Sequence, residues 1–356
     1  MPTFAAAELR TLIAQCFVKV AVPADEAELT ARLMVEANLT GHDTHGARQT
    51  PRYVELIEKG LIKAGAPLTV VNETPTTAVL DGHHNLGYVV ASKATELAIA
   101  KARKTHLSAV GVRNLNHVGR VGAYPEMIAA AGLVGIVTVN AQSKRGSLVT
   151  PFGGLAARIG TNPMGAGFPN PAGDPVILDL ATSAVAANKI RQAKSRGKRT
   201  GEGWMVLKDG TPTTDPTDFM EGRALMLPLG LNQGHKGYAL AVMVDILSGI
   251  LAGSGTPLHP SPDLNNGTFI ICIDPDAFVA RGEYEKHVRE YIDYLHATPT
   301  APGAPPVQVP GDYEARNRRQ RLKDGIEIEP PVWEDLRKCA ERLGVATPIA
   351  PAARAG

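Results

Sequence analysis

Residues 107–124 read LSAVGVRNLNHVGRVGAY, an apolar run that passes directly into a polar segment containing glycine. The run at 107–112 is short and rich in branched apolar residues, which predicts a buried strand. After it, His117 stands among small residues, of which Gly119 and Gly122 let a flat ligand approach the backbone. A histidine after a strand is more often structural than catalytic, so the remaining motifs have to decide between the two.

On both sides of this stretch, strand patterns alternate with helix patterns, which favours an α/β fold. The Asp81-Gly82 pair predicts a turn that closes the second strand. Apolar spacing and breaker residues predict, in chain order, a helical hairpin at 5–39, a helix at 53–59, strands at 69–71 and 77–80, a helix at 89–104, a strand at 109–112, a helix at 124–131, a strand at 134–140, a helix at 239–251, a strand at 269–273, and helices at 284–296 and 331–343.

The composition indicates a globular, enzyme-sized protein. Of the 356 residues, 44% are hydrophobic and 20% are charged, which suits a large core in two parts. The formal net charge of +2 favours neither nucleic acid nor a membrane surface, so the expected partner is a small molecule. Cys16, Cys272 and Cys339 have neither disulfide nor zinc-site spacing. No secretory or membrane-spanning pattern is present, and we predict a cytoplasmic protein.

The segment 41–53, GHDTHGARQTPRY, concentrates two histidines and two arginines. Three interpretations of His42 and His45 compete: a metal pair, a catalytic or substrate-holding pair, and structural turn residues. A metal site needs further ligands, and no spacing connects this pair to another histidine, so we assign no metal ligands. Arg48 and Arg52 carry planar guanidinium groups that bind a carboxylate through two parallel hydrogen bonds. A solvated helix start is the alternative role of these arginines.

Residues 151–183 form a stretch rich in glycine and proline, which predicts an irregular backbone from 160 to 169. Such a backbone presents amide groups that suit a diphosphate or a carboxylate. Asp179 ends an apolar strand, where it accepts hydrogen bonds from ribose hydroxyls, orients an imidazole, or caps a tight loop. Neither GxGxxG nor GxxxxGK occurs, so neither the Rossmann fingerprint nor a P-loop is present.

Two further features of the sequence carry positive charges that could bind an anionic ligand. The basic run at 189–199 is typical of a solvated, mobile loop, and its alternative role is contact with an anionic cofactor. Lys236 stands in a turn at the start of an apolar helix, where the helix dipole disfavours a cation unless an anion is present. Lys236 is therefore a candidate ligand contact.

Seven motifs, weak singly and specific together, extend over nearly the whole chain. They are Thr44-His-Gly with Pro51-Arg-Tyr53, Asn116-His-Val-Gly with Tyr124, Gly160-Thr-Asn-Pro163, Ile177-Leu-Asp-Leu-Ala-Thr-Ser183, Gly203-Trp204 followed by Asp209-Gly-Thr-Pro-Thr-Thr-Asp215, Gly234-His-Lys-Gly-Tyr238, and Val309-Pro-Gly-Asp312. In this order the chain resembles the malate/L-lactate dehydrogenase family, which includes ureidoglycolate and sulfolactate dehydrogenases and is unrelated to the Rossmann lactate dehydrogenases.

The resemblance implies an NAD- or NADP-dependent interconversion of a 2-hydroxy acid and a 2-oxo acid. It implies a family-specific, non-Rossmann α/β (α+β) fold with a helical N-terminal part and a larger mixed-sheet domain, working as a homodimer with the active site near the interface. By position, His117 is the general acid/base and His45 contacts the substrate or donates a proton. The implied substrate-binding residues are Thr44, Arg48, Arg52 and Tyr53, and the implied cofactor-binding residues are Asn140, Thr161, Asp179, Leu180, Ala181 and Lys236.

Two positions depart from the family pattern. Thr44 replaces the usual serine and keeps the hydroxyl. Gln49 stands where the family often has arginine, which leaves open whether Arg48 or Arg52 binds the carboxylate. We expect residues 1–72 to form the helical N-terminal part, packed with C-terminal helices at 310–345. Residues 73–309 are expected to form the cofactor-binding domain, and 346–356 a flexible tail.

Other functions remain open at this point. Some members of the family reduce cyclic imino carboxylates, so an NAD(P)H-dependent imine reductase is one alternative. A metal-dependent hydrolase or lyase that uses His42, His45 and His117 is a second, and it would lose activity to chelators. A protein that binds the cofactor without catalysis is a third.

Overall fold

The computed structural model describes residues 1–141, 147–259 and 265–348. The helices are α1 (Ala6–Lys19), α2 (Ala24–Leu39), α3 (Thr50–Glu58), α4 (Gly87–Thr105), α5 (Ala123–Ala130), α6 (Ala187–Ser195), α7 (Pro216–Met220), α8 (Gly234–Val244), α9 (Arg281–His296), α10 (Asp312–Asp324) and α11 (Pro330–Arg342). The 3₁₀ turns are Asp43–His45, Ala47–Gln49, Leu231–Gln233 and Pro275–Ala277, and a π-helical segment, Asp245–Leu251, continues α8.

The strands form three sheets. They are β1 (Thr3–Phe4), β2 (Thr69–Glu73), β3 (Thr77–Asn85), β4 (Leu107–Leu115), β5 (Val134–Ala141), β6 (Met164–Phe168), β7 (Val176–Leu180), β8 (Met205–Leu207), β9 (Pro212–Thr213), β10 (Ala224–Met226), β11 (Asn266–Ile273) and β12 (Ile326–Glu327). The largest sheet in the described residues has the order β2-β3-β4-β11-β5-β6-β7. Only β3 and β4 pair in parallel there, and the other neighbours are antiparallel. The predicted mixed α/β fold is confirmed.

The position of β11 explains how distant parts of the chain meet. This strand lies between β4 and β5 and pairs with both along its length. Its burial pattern and its Phe-Ile-Ile-Cys-Ile sequence suit a strand that is covered on both faces. The end of β4, which leads to His117, is therefore held by β3 on one side and β11 on the other.

Three apolar clusters form the core. The first joins α1, α2 and α3 to β12 and α11, so the two ends of the chain share one interior. In α1 the buried residues recur at helical spacing, and they are Leu9, Leu12, Ile13, Cys16 and Phe17. The second cluster packs α4 and α5 against the large sheet. The third lies between α6, α8 and the small β8–β10 sheet.

The division at residue 72 stays a prediction, and the structure adds two facts to it. β2 spans Thr69–Glu73 and pairs with β3, so the large sheet begins on the N-terminal side of that boundary. Leu86 and Tyr88, at the start of α4, belong to the first cluster rather than to the sheet cluster. In the predicted tail, residues 349–356 lie outside the described part of the chain.

The structure corrects four local predictions. The predicted turn at Asp81-Gly82 is wrong, because β3 continues to Asn85 through an irregular register in which His83 and His84 have positive φ. The basic run at 189–199 is not simply a loop, since α6 covers its first half and buries Ile190. The stretch at 160–169 contains β6, whose glycines allow close packing against α5. Helix α10, very rich in charge, was missed as a separate element.

No helix in the described residues is long and apolar enough to span a membrane.

Candidate active site

His117 lies two residues beyond the end of β4, and Asn116 holds the backbone in place where the chain leaves this strand. The Asn116 Nδ2 atom donates to the carbonyl oxygens of His84 at 2.8 Å and Leu61 at 3.3 Å. The start of α4 packs closely against the same segment. A Cβ on Gly87 would lie only 2.1 Å from the Asn116 carbonyl oxygen and 2.3 Å from that of His117, so the close approach requires glycine.

Tyr53 holds the imidazole of His117. Its hydroxyl oxygen lies 2.5 Å from His117 Nδ1, and Tyr53 itself is only 2% exposed. Burial raises the pKa of Tyr53 to about 12, against smaller opposing effects of Arg52 and Tyr88. The phenol therefore stays protonated at neutral pH and can either donate to Nδ1 or accept from it. The other ring nitrogen, Nε2, is left for a reacting group.

His45 stacks against His117. The two ring centroids are 5.3 Å apart with an interplanar angle of 17°. Burial lowers the pKa of His45 to about 4, with further contributions from His42 and Arg120. Burial also lowers the pKa of His117 well below its usual value, and the nearby His45 and Arg52 act in the same direction. Both rings are therefore neutral at pH 7 in the free protein.

The turn that carries His45 is closed by one hydrogen bond from Tyr88 in α4 and one from Gln49. The backbone carbonyl of His45 accepts from the Tyr88 hydroxyl at 2.8 Å, and that of Thr44 accepts from Gln49 Nε2 at 2.7 Å. Within the described residues, the buried Nδ1 of His45 has no hydrogen-bond partner. An orphaned ring nitrogen beside His117 suits a polar ligand or a bound water.

Gln49 also aligns one of the two candidate arginines. Its Oε1 atom accepts from Arg52 Nη1 at 3.4 Å, and the charge of Arg52 acts on the pKa of His117. Arg48 lies half-buried on the Ala47–Gln49 turn, where its guanidinium makes no hydrogen bond or ion pair with the described part of the chain. Gln49 thus occupies the position of the missing family arginine and connects Thr44 to Arg52.

A buried ionic cluster fixes the segment that follows His117. The Arg120 side chain is 2% exposed; its Nη2 donates to Glu126 Oε1 at 2.7 Å, and its Nε lies 3.4 Å from Asp179 Oδ2. The same Asp179 oxygen accepts from the backbone N–H of Gly122 at 3.0 Å. Burial raises the pKa of Asp179, while the Arg120 charge lowers it. The Asp179 carboxylate therefore has protein partners and ties β7 to the segment that carries the imidazole.

Helix α10 covers the other side of the His42–His45 turn. Glu314 Oε1 lies 2.9 Å from His42 Nε2, and Arg321 binds Asp43 at 2.8 Å. One ring nitrogen of His42 is thus engaged by a carboxylate of α10. In the described ranges, no group of three or more His, Cys, Asp or Glu side chains is arranged to hold a metal ion. The geometry gives no support to the metal-dependent alternative.

Besides Asp179, four of the predicted cofactor residues are accessible to a ligand and lie in two places. Thr161, Leu180 and Ala181 are half-buried neighbours, because β6 pairs with β7 and the Thr161 carbonyl accepts from the Thr182 backbone N–H at 3.0 Å. Lys236 is exposed in the first turn of α8 and makes no hydrogen bond or ion pair with any described residue.

Asn140 has a different environment from the other predicted cofactor residues. It is fully buried, donates to Asp245 Oδ1 at 3.1 Å and to the Gly255 carbonyl at 3.0 Å, and accepts from the Gly267 backbone N–H at 3.0 Å. These bonds use its amide nitrogen and oxygen within the protein, so the side chain braces the π-helical segment against β11. As a direct cofactor contact through its side chain, Asn140 does not fit this structure.

Sequence reasoning missed several residues that shape the site. Glu126 binds Arg120, Glu314 binds His42, and Tyr88 supports the His45 turn from α4. Arg120 itself was visible in the sequence as a polar group of the His117 segment, and what the sequence did not show is its two carboxylate partners. Glu314 carried no such signal, since it lies in a helix that is charged on every side.

Comparisons with known proteins identify the family of the chain. The family model described as malate/L-lactate dehydrogenase matches residues 4–337. The chain is 38% identical to an L-lactate dehydrogenase from Cupriavidus necator, over 92% of this chain and 94% of the relative. It is 36% identical to a malate/(S)-sulfolactate dehydrogenase from Methanothermus fervidus, over 95% and 97% of the two chains.

A solved structure of a putative malate/lactate dehydrogenase from E. coli superimposes with a TM-score of 0.90 at 34% identity, covering 97% of this chain and 96% of that one. The match therefore extends over the sheet, the helical N-terminal part and the segments around His117 alike. The chain belongs to the malate/L-lactate dehydrogenase family and is an oxidoreductase that acts on the CH–OH group of hydroxy acids.

Proposed function

We propose that the protein interconverts a 2-hydroxy acid and a 2-oxo acid with NAD or NADP as the hydride carrier, and that His117 is the general acid/base. The observation that carries this proposal is the pairing of a neutral, half-buried imidazole with Tyr53 on one nitrogen and a nearby Arg52 that has no carboxylate partner among the described residues. Such an arrangement can transfer a proton to or from the C2 oxygen of a substrate whose carboxylate is bound nearby.

In the oxidative direction, His117 Nε2 accepts the hydroxyl proton of the substrate. The neutral ring that accepts at Nε2 carries its own proton on Nδ1, and this Nδ1–H donates to the Tyr53 oxygen, 2.5 Å away, before and after the transfer. In the reductive direction Nε2–H returns the proton to the C2 oxygen, and Nδ1–H stays bonded to Tyr53. The phenol oxygen thus accepts in both states and holds the ring in one tautomer. A nicotinamide, when bound, supplies or takes the hydride at C2.

Substrate binding tunes the pKa of His117. In the free protein, burial, the neighbouring His45 and the charge of Arg52 keep this pKa well below its usual value. A substrate carboxylate on Arg52 would neutralise the arginine charge and raise the pKa towards the working pH. Arg52 is therefore the better candidate than Arg48 for the carboxylate next to C2. His45 would contribute its orphaned Nδ1 to the same ligand.

The residues at the ends of β6 and β7 fit a dinucleotide. Thr161, Leu180 and Ala181 offer a half-buried backbone edge, and Lys236 offers an ammonium group at the N-terminus of α8 that no described residue pairs. A cation at a helix N-terminus is unfavourable without an anion, so a cofactor diphosphate there would satisfy both the helix and Lys236. We propose that these residues hold the cofactor.

The α8 helix and the π-helical segment after it leave an apolar stripe uncovered. Met243, Ile246 and Ile250 are 38%, 49% and 64% exposed, at spacings of three and four residues. A stripe of this kind marks a helix face that packs against a partner. We propose a homodimer that buries it, and light scattering on Ile246→Glu tests this. The expected result is a monomer where the wild type is a dimer, whereas an unchanged dimer would contradict it.

The three cysteines, Cys16, Cys272 and Cys339, are free and buried. Free thiols fit a reducing compartment, and we propose the cytoplasm.

The direct test is turnover of the purified protein, followed through the absorbance of the reduced nicotinamide. The panel contains pyruvate, oxaloacetate, sulfopyruvate and a cyclic imino carboxylate, each with NADH and with NADPH. We expect cofactor oxidation with at least one 2-oxo acid and no effect of a chelator. Turnover of the cyclic imine alone would favour an imine reductase instead. Activity that chelators remove and zinc or manganese restores would contradict the proposal.

A further inference from the structure

Two cysteines from opposite ends of the chain lie in one apolar cluster. Cys16 belongs to α1 and Cys339 to α11, and both are free thiols. Their exposed fractions are 0% and 7%, so Cys339 is the more accessible of the two. Both belong to the first apolar cluster, in which the N-terminal and C-terminal helices share one interior. The fold thus brings together two thiols that almost the whole sequence separates.

Helices α1 and α11 lie side by side. The ring of Phe4, just before α1, contacts that of Trp333 near the start of α11, with centroids 4.4 Å apart. Beyond the cysteines, Val18 of α1 and Val345, which follows α11, line the same groove. The two helices therefore run in the same direction, and both cysteines lie between these two contacts.

Each cysteine lies on the buried face of its helix. Leu12 and Cys16 are one helical turn apart in α1, as are Leu336 and Cys339 in α11, and all four are buried. Residues at this spacing share one face of a helix. The two thiols meet between these faces, where they are hydrogen-bonded to each other. Two thiols in contact are the starting arrangement for a disulfide.

The two thiols differ in ionisation. Arg342, one turn after Cys339, is hydrogen-bonded to its sulfur and forms a bidentate ion pair with Glu58 at 2.7 and 3.0 Å. The hydrogen bond with Cys16 lowers the pKa of Cys339 to about 7, the Arg342 charge acts in the same direction, and burial opposes both. The same hydrogen bond and burial raise the pKa of Cys16. Near neutral pH, Cys339 is therefore the nucleophilic thiolate, and Cys16 keeps its proton.

We propose that Cys16 and Cys339 are a redox-sensitive pair, which forms a disulfide when the protein meets a hydroperoxide and returns to two thiols in the presence of a dithiol. The crosslink joins α1 to α11 and so ties the two ends of the chain together. This inference goes beyond the proposed function and does not depend on it, because these thiols take no part in the proposed reaction.

Oxidation of the pair takes two steps. The Cys339 thiolate attacks the hydroxyl oxygen of the hydroperoxide, so that an S–O bond forms, the O–O bond breaks, and the other oxygen leaves as an alcohol or water after taking a proton from solvent. Cys16 then attacks the sulfenic sulfur, an S–S bond forms, and the hydroxyl group leaves as water with the Cys16 proton. The two thiols lose two electrons, which the peroxide takes up. A dithiol reverses the change by exchange and becomes a cyclic disulfide itself.

The crosslink should stabilise the fold. It closes a loop that contains nearly the whole chain, and a disulfide stabilises mainly by restricting the unfolded chain, more so for long loops. Helix α11 is also joined to α3 through the Arg342 and Glu58 ion pair, and α3 carries Tyr53. The disulfide therefore clamps helices that support the candidate active site. We expect the oxidised protein to melt roughly 3–10 °C above the reduced protein.

The test uses the full-length protein, reduced and freed of reductant, then treated with hydrogen peroxide near neutral pH. Remaining thiols are alkylated after denaturation, and peptide mapping without reduction locates any crosslink by mass spectrometry. We expect one pair of peptides that joins Cys16 to Cys339 and is lighter by two hydrogens than the reduced peptides together. Cys272 should remain a thiol, because burial raises its pKa to about 12 and it lies in the second apolar cluster. The melting temperature is measured on the same samples, before and after addition of dithiothreitol.

Two variants control this experiment. Cys16→Ala removes the resolving thiol, so peroxide should produce neither a crosslink nor a higher melting temperature. Cys272→Ala is the matched control, because Cys272 is also 0% exposed but belongs to another part of the core. It should form the crosslink and gain thermal stability as the wild type does.

Several outcomes would overturn this inference. Cys16 and Cys339 that stay reduced in peroxide, or a Cys339 that becomes a sulfinic acid without a crosslink, would show that the pair does not close. A crosslink that includes Cys272, or one that joins two chains, would assign the reactivity elsewhere. A crosslink without any rise in melting temperature would refute the clamp. If Cys16→Ala does not fold, the peptide map of the wild type decides alone.

Discussion

Replacing Tyr53 by phenylalanine removes one oxygen atom from the centre of the site. The hydroxyl lies 2.5 Å from His117 Nδ1, while the ring packs at 6.0 Å from Tyr88 and is 2% exposed, so the phenyl ring keeps the same space. What is lost is the hydrogen-bond partner of the imidazole. Leaving a buried polar atom unpaired costs about 1–3 kcal/mol.

This cost falls on the step in which His117 carries or releases a proton, because Nδ1–H then has no acceptor. At about 1.4 kcal/mol per factor of ten, we expect kcat to decrease roughly 5- to 150-fold. The KM values for the 2-oxo acid and for the cofactor should change by less than about twofold, since the Tyr53 hydroxyl is bonded to His117 Nδ1. Steady-state kinetics at saturating cofactor measure both parameters.

Tyr124→Phe is the matched control. Tyr124 is fully buried and its hydroxyl donates to the Val118 carbonyl at 2.6 Å, in the same segment but away from the imidazole. We expect a lower melting temperature and an unchanged kcat for this variant. An unchanged kcat in Tyr53→Phe, or an equal loss in Tyr124→Phe, would refute the reasoning.

Three further predictions follow from the same contacts. Arg52→Gln removes a positive charge that lowers the pKa of His117, so the pKa of His117 should rise. The acid limb of the pH profile of kcat/KM for hydroxy acid oxidation should then move to higher pH. An unmoved acid limb would count against the effect of Arg52 on His117. Asp179→Asn weakens the bonds to Arg120 and Gly122 and should lower the free energy of unfolding by about 1.5–3 kcal/mol. Denaturant titrations measure this loss. A higher KM for the cofactor without destabilisation would instead indicate that Asp179 contacts the ribose. Gly87→Ala inserts a methyl group against the His117 backbone and should cost about 1–3 kcal/mol by thermal unfolding, while Gly282→Ala, where the added Cβ meets nothing within 4 Å, should be close to neutral.

Much of the fold was accessible from sequence because the local signals were strong. The buried positions of α1 follow a helical period, and β5 and β11 are continuous apolar runs with clear ends. β3 shows where such signals stop. The Asp81-Gly82 pair has the composition of a turn, but the register shift between Asp81 and Asn85 lets the strand continue. Pairing with β4, a tertiary contact, overrides the local preference there.

The candidate site, like the fold, was predictable only in part. The motifs predicted His45, His117 and Tyr53 as site residues. The structure places these three side chains together, although they come from three different segments of the chain. What sequence could not give is the direction of each polar atom. The assignment of Tyr53 to Nδ1 of His117 and of Asp179 to the Gly122 backbone depends on packing between segments that are 57 or more residues apart. The same holds for Asn140, which ends the predicted strand at 134–140 and whose side chain is bonded within the core.

The exchange of His117 for glutamine tests the central claim most directly, because the amide keeps the size and polarity of the side chain and loses its ability to carry a proton. With wild type and variant titrated with the reduced cofactor and then assayed with a 2-oxo acid, we predict a roughly 10²–10⁴-fold loss of kcat at nearly unchanged cofactor affinity. A variant that retains wild-type kcat would contradict the assignment of His117 as the general acid/base.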